Sequence, residues 1–245
     1  MRGLLRRLFR LMPSQASKKE DQLRLEIQKQ LEQLNWMFPP RTVTDPAAWD
    51  QYWHDHISHG FDGGVHMFVD DGELVDAMRA NELKTVLCVG NGISLEPRAL
   101  AWAGFDVTSL DISPLAAKVA REGTPPEDLL KGLLGGRSGG LNGRLDFVVG
   151  DLCDPALCPG PYDVVIDRKT LQLWPDAERP VALQAVANRL ASRGIFFSHA
   201  HDGRWKPPAP RRHALEPWFV AQGWEFWRRE VALTGRVAWL FTTTG

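Results

Sequence analysis

Residues 84–113, KTVLCVGNGISLEPRALAWAGFDVTSLDIS, restrict the fold of this chain more than any other segment. An apolar run leads into a glycine turn, then a helical stretch, then a second apolar run that ends at Asp111. That order describes a strand-turn-helix-strand unit. In such a unit the backbone N–H groups of the turn and the carboxylate at the next strand end face one crevice, which suits a nucleoside cofactor.

The glycine spacing narrows the cofactor. A dinucleotide fingerprint places glycines first, third and sixth, the last for close packing of helix on strand. Gly90 and Gly92 satisfy the first two positions, but Leu95 holds the sixth, so a pyrophosphate is disfavoured and a dehydrogenase is the weaker reading. Two later segments repeat the pattern of an apolar strand ending in an acid. LDFVVGDLCD at 145–154 carries Gly150 and Asp151, and YDVVIDRKTL at 162–171 carries Asp167.

The whole chain has 245 residues, 44% of them hydrophobic, enough for one full core with an N-terminal extension. A formal net charge of −1 provides no broad basic field, which argues against nucleic acid as the main partner. Cys88, Cys153 and Cys158 have no paired metal spacing and suit a reducing cytoplasm. No apolar run approaches the roughly 20 residues of a membrane span. The first twelve residues, MRGLLRRLFRLM, read as a basic amphipathic segment suited to weak contact with a membrane surface or a partner.

Residues 14–38 predict a helix ended by Pro39 and Pro40. Asp45 followed by Pro46 predicts an N-cap and first-turn proline for a second helix, and a third is expected over roughly 71–82. From Lys84 onward strands and helices alternate, as a doubly wound α/β sheet requires. Residues 123–143 interrupt that order with seven glycines and read as an inserted loop. A helix is expected at 181–192, then a strand GIFFSH, then two strands WEFWRREVAL and RVAWLFTTT joined through Thr234 and Gly235.

Together, Gly90-x-Gly92-x-Ser94, the acid at Asp111 and the two later acid-terminated strands resemble class I S-adenosylmethionine (SAM) methyltransferases. The resemblance implies a seven-stranded, mostly parallel sheet closed by a C-terminal antiparallel hairpin. It implies a methyltransferase domain at 84–245 behind a helical arm or lid at 1–83. Gly90, Asn91, Gly92 and Ser94 would take the methionyl end, Asp111 and Ile112 the ribose, and Gly150, Asp151 and Leu152 the adenine, with Asp167 at the floor beside the methyl group. Cys88 departs from the family, which commonly has an acid there. It reads as a small buried hydrophobe.

The acceptor is read from the segment after the fourth strand. Asp167, Arg168, Leu171, Pro175 and Arg179 resemble the thiopurine and small-thiol branch of the family, as does the Trp49, Trp53 pair. DRKTL is also similar to a run in some protein-lysine methyltransferases, and that alternative stays open, as does a SAM-binding scaffold without turnover. Trp49, Tyr52, Trp53 and Trp174 are candidate walls for a small acceptor, beside Arg168. Asp167, Arg168 and His201 are the candidate catalytic groups, and His199 is a second candidate base. The cluster His54, His56, His59 and His66 has no compact metal-ligand spacing, and no metal is expected. Arg204, Lys206, Arg211 and Arg212 form a cationic loop suited to an anionic substrate.

Overall fold

The computed structural model describes residues 39–40, 42–60, 72–123, 143–168, 170–198, 216–231 and 236–242. The chain divides into two compact units, Met1–Phe38 and Pro39–Gly245, and all described residues belong to the second. The readings made for the first twelve residues, the helix at 14–38, the inserted loop, His199, His201 and the cationic loop therefore lie outside the described residues.

Helix α1 (Pro46–Ser58) begins as its sequence predicts. The Asp45 carboxylate accepts the N–H groups of Ala47 and Ala48 at 3.0 and 3.3 Å, and Pro46 opens the first turn. After α2 (Gly72–Ala80) come β1 (Thr85–Val89), α3 (Glu96–Trp102), β2 (Asp106–Asp111), α4 (Pro114–Glu122), β3 (Leu145–Val149) and β4 (Tyr162–Asp167). The chain continues through a 3-10 turn (Leu171–Leu173), α5 (Arg179–Ala187), β5 (Leu190–Ser198), α6 (Glu216–Ala221), β6 (Glu225–Val231) and β7 (Arg236–Thr242).

Strands β1 to β5 pair in parallel in the order β3-β2-β1-β4-β5. The two C-terminal strands extend the sheet as β7-β6, β7 running antiparallel to both β5 and β6. Residues 232–235, which join them, are outside the described set. Chain order runs outward from β1 to β3 and then returns to β4 on the other side of β1, so the crevice between β1 and β4 is the switch point of the sheet.

Strand alternation divides the core between the two faces. Val86, Cys88, Val164, Ile166 and Phe197 pack with Leu74, Val75 and Met78 of α2 and with Ala99 and Leu100 of α3. Leu87, Val89, Val165 and Phe196 pack with Ala182, Leu183 and Val186 of α5 and with Phe219 of α6. Cys88 is buried, as its reading as a small hydrophobe requires.

The helix expected at 181–192 ends earlier, at Ala187, and β5 starts before GIFFSH. The cause is Arg189. Its carbonyl accepts the Tyr162 N–H at 2.7 Å, and its guanidinium donates to the carbonyls of Ala185, Asp154, Leu157 and Cys158, which draws the chain out of the helix. Tyr162 pairs with Leu190 and Val164 with Ile195, so residues 191–194 bulge, with Arg193 at φ +65°.

Asp163 holds the starts of β1 and β4 together. Its carboxylate accepts from Lys84 N, Thr85 N and Thr85 Oγ1 at 2.8, 2.9 and 3.0 Å. Burial pushes that carboxyl up, but the donors from Thr85 and Lys84 outweigh it and hold it below the usual carboxylate range. A lowered carboxyl stabilises the fold above its unfolded pKa and ceases to do so as pH falls through the folded one. Asp163→Ala should cost about 1–3 kcal/mol in urea unfolding at neutral pH, with the deficit shrinking below pH ~4.

Candidate active site

Three loops meet at the C-terminal ends of β1, β2 and β4. In the first, Gly90 and Gly92 both have left-handed backbone, at φ +58° and +57°. The space a side chain would need is occupied by the protein itself. A Cβ on Gly90 would run into the Thr170 side chain, and one on Gly92 into the Trp53 indole.

The N–H groups of Gly90 and Gly92 already donate within the protein. Gly90 N–H donates to the Leu110 carbonyl at 2.8 Å, continuing the β1-β2 ladder past the strand, and Gly92 N–H donates to Asp111 Oδ2 at 2.6 Å. Asn91 Nδ2 donates to the Ser94 carbonyl at 3.0 Å, and Ser94 Oγ accepts the Glu96 N–H at 3.2 Å. Asn91 Oδ1, in contrast, is a buried acceptor with no donor among the described residues.

Asp111 joins the first loop to the second. Its Oδ1 accepts the Ser113 N–H at 2.8 Å while Oδ2 holds Gly92. Ser113 itself caps α4, accepting Ala116 N–H at 3.0 Å, so Asp111 is not needed for that duty. Burial pushes the Asp111 carboxyl up to about 6, the N–H groups of Ser113 and Gly92 oppose the rise, and Asp50 adds to it. Ile112 is half-buried beside it. Gly150 N–H reaches the Asp111 carbonyl at 2.9 Å, and Asp151 Oδ1 accepts Cys153 N–H at 2.8 Å in a tight turn that buries Leu152.

The third loop follows β4. Asp167 is fully buried, and its oxygens accept from Thr170 N, Leu171 N and Ser198 Oγ at 2.8, 3.2 and 2.8 Å. Burial raises its carboxyl, with those three donors and Arg168 pulling the other way. Arg168, expected at an acceptor, instead forms a buried ion pair with Glu96. Trp174 is a correction as well. It is buried in the core on the α5 face, because Arg179 donates to its carbonyl at 2.7 Å and to that of Leu171 at 3.3 Å, folding the segment inward. Within the motif from Asp167 to Arg179, Asp167 and Arg179 thus brace the loop itself, while Arg168 ties it to Glu96 on α3.

Of the aromatic residues of α1, Trp53 reaches the glycine loop. Tyr52 lies between Trp49 and Trp53, ring centroids 5.3 and 5.1 Å away, and 4.0 Å from His56. Trp49 Nε1 donates to the Val43 carbonyl at 3.0 Å. Asp50 accepts from Ser113 Oγ and, at 3.0 Å, from Leu115 N, which fixes α1 to the start of α4 while Trp53 rests on Gly92. Sequence reasoning missed Asp50, Glu96, Thr170 and Ser198. Only Glu96, immediately after the glycine loop, stood where a local signal could have drawn attention. A cavity of about 470 Å³ lined by Arg189, Gln184, Pro159 and Trp218 lies toward the N-terminal ends of β4 and β5, away from these loops.

Residues 87–198, which hold all three loops, match the methyltransferase domain family. That match spans less than half of the chain and makes it similar to methyltransferase domains. A magnesium-protoporphyrin O-methyltransferase of Rhodobacter capsulatus is 35% identical over 111 residues, which are 45% of this chain and 43% of that protein. The chain thus matches less than half the length of that curated relative. Among solved structures, magnesium protoporphyrin IX methyltransferase of Synechocystis PCC 6803 with bound SAH aligns at TM-score 0.52 and 16% identity, over 81% of this chain and 98% of that one. A SAM-bound amino pentose methyltransferase of Micromonospora echinaspora, from calicheamicin biosynthesis, aligns at 0.52 and 20%, over 77% and 96%. At such identities these structures share only the fold with this chain.

A carboxyl raised in the folded chain keeps a proton that the unfolded chain loses, so it makes stability fall as pH rises between the two pKa values. For Asp111 that window runs from about pH 4 to about 6. Across it, wild type should lose up to roughly 3 kcal/mol of unfolding free energy relative to Asp111→Asn, read from urea titrations at each pH. A difference that does not change with pH would mean that the folded carboxylate stays ionised throughout.

Proposed function

We propose that the chain transfers a methyl group from SAM to a small-molecule acceptor, at the crevice between β1 and β4. The observation that carries the cofactor assignment is Asn91 Oδ1, a buried acceptor lacking a donor within the glycine loop of a segment similar to methyltransferase domains. A methionyl ammonium supplies such a donor. Asp111, at the end of β2, retains lone pairs for ribose hydroxyls beyond the two N–H groups it already accepts. Asp151 and Leu152, after β3, are our choice for the adenine end.

SAM supplies a methyl already activated by its sulfonium, so the protein has chiefly to align an acceptor and exclude water. Alignment alone is worth effective molarities of roughly 10⁵–10⁸ M. We assign alignment to α1 as a lid, with Trp49, Tyr52 and Trp53 as an aromatic wall and residues 1–83 as an arm to the domain at 84–245. Such a wall suits a flat or compact acceptor: a heteroaromatic, a thiol or amine, or the O-methylated porphyrin class named for the Rhodobacter relative. The seven-stranded sheet with its antiparallel C-terminal pair accords with this reading. So do the free Cys88, Cys153 and Cys158, which suit a reducing cytoplasm. No helix among the described residues is long and apolar enough to cross a membrane.

By titration calorimetry, the chain should bind SAM and SAH in preference to NAD. Asp111→Ala should weaken SAM binding about 10- to 100-fold. Wild-type affinity should fall as pH drops below about 6, where Asp111 takes up a proton, whereas Asp111→Asn should show no such dependence. Tighter binding of NAD would remove the cofactor assignment.

With labelled SAM, methyl transfer should appear on small thiols, heteroaromatics or porphyrins, and Trp53→Ala should lower turnover more than SAM affinity. Label confined to lysines of a protein extract would move the assignment to a protein methyltransferase.

A further inference from the structure

We propose that the buried Glu96–Arg168 pair is a positioning strut that locks the segment after β4 to the far end of the glycine loop, so that the two move as one. This rests on reading residues 90–95 as the cofactor loop. The two residues are 72 positions apart in sequence, Glu96 opening α3 and Arg168 following β4. Their side chains are 2% and 4% exposed. Arg168 Nε lies 3.0 Å from both Glu96 oxygens, its Nη2 also donates to Oε1, and the guanidinium stands 4.7 Å from the centre of the Phe197 ring on β5.

The connections on either side of the pair give it its meaning. At the far end of the loop, Glu96 N–H is held by Ser94 Oγ, and Ser94 O by Asn91 Nδ2. At the near end, Thr170 Oγ1 donates toward the carbonyls of Gly90 and Val89, at 3.0 and 3.3 Å. Thr170 and Arg168 belong to the same segment, braced by Asp167 through Thr170 N and Leu171 N. One short segment therefore grips the glycine loop at both ends. The acid that closes the circuit comes from α3, since residue 88 on the strand is a thiol.

An ion pair is a costly way to fill a core position, because taking both charges out of water consumes much of their attraction. A pair of apolar side chains would pack there more cheaply but would leave α3 free to rotate against β4. A planar guanidinium facing both oxygens of one carboxylate fixes direction as well as distance. The Cys88 thiol lies within the field of both charges: burial raises its pKa first, Glu96 raises it further and Arg168 lowers it. A carboxylate introduced at position 88 would therefore feel the attraction of the same guanidinium.

The test uses the full chain without ligand, followed by SAM titration. In Glu96→Gln, amide hydrogen exchange should quicken together at 90–95 and at 170–171, by roughly tenfold or more, with SAM affinity falling by a similar factor. The charge-free double variant Glu96→Gln/Arg168→Met should regain the wild-type unfolding midpoint without regaining loop protection or affinity. Cys88→Asp in the Glu96→Gln background should restore part of both. Unchanged exchange at either segment in Glu96→Gln would overturn the strut, and so would a double variant with wild-type loop protection. Failure of the wild type to bind SAM would refute the cofactor assignment instead, and exchange in the unliganded chain would still decide the strut.

Discussion

The buried carboxylate of Asp111 is the interaction on which the architecture of the crevice depends. One oxygen takes the N–H of Gly92 from the loop after β1, and the other takes the N–H of Ser113 from the loop after β2. Ser113 then reaches Asp50 on α1, so a helix from before the sheet is tied to the same point. Remove the acid and two buried N–H groups lose their acceptor while the loops lose their common reference. The left-handed glycines are the complement of this bond: without them the backbone could not turn Gly92 N–H toward the end of β2.

The crevice is built chiefly from acids placed where water is scarce. Asp111 and Asp167 are both buried, and in each burial outweighs a set of hydrogen-bond donors, leaving the carboxyl easier to protonate than usual. Glu96 differs in having a full cation against it. The three acids thus represent two solutions to one problem. Donors alone make a carboxylate tolerable, whereas a bidentate guanidinium also gives it a direction.

Much of the fold could be read from one-dimensional pattern. The apolar runs of β1, β2 and β4, the Asp45 cap with Pro46, and the order of acids at strand ends are local signals, and each lies where it was expected. The end of α5 was not legible, because it is set by Arg189 reaching carbonyls more than thirty positions away at Asp154, Leu157 and Cys158. The same holds for Glu96 and Arg168, whose partnership exists only once β1 and β4 are neighbours. Trp174 shows the converse limit: an aromatic residue beside a motif reads equally well as pocket or core, and only the inward fold of the 3-10 segment decides for the core.

Trp53 on Gly92 has a consequence for the medium inside the crevice. The notch left by a residue with no side chain is filled by an indole from the same chain, and Asn91, Gly92, Ser94 and Asp111 are all buried beneath α1 or its neighbours. A charged group brought up to Asn91 Oδ1 or to Asp111 would meet dipoles largely shielded from solvent, where their pull is stronger than it would be at an open surface.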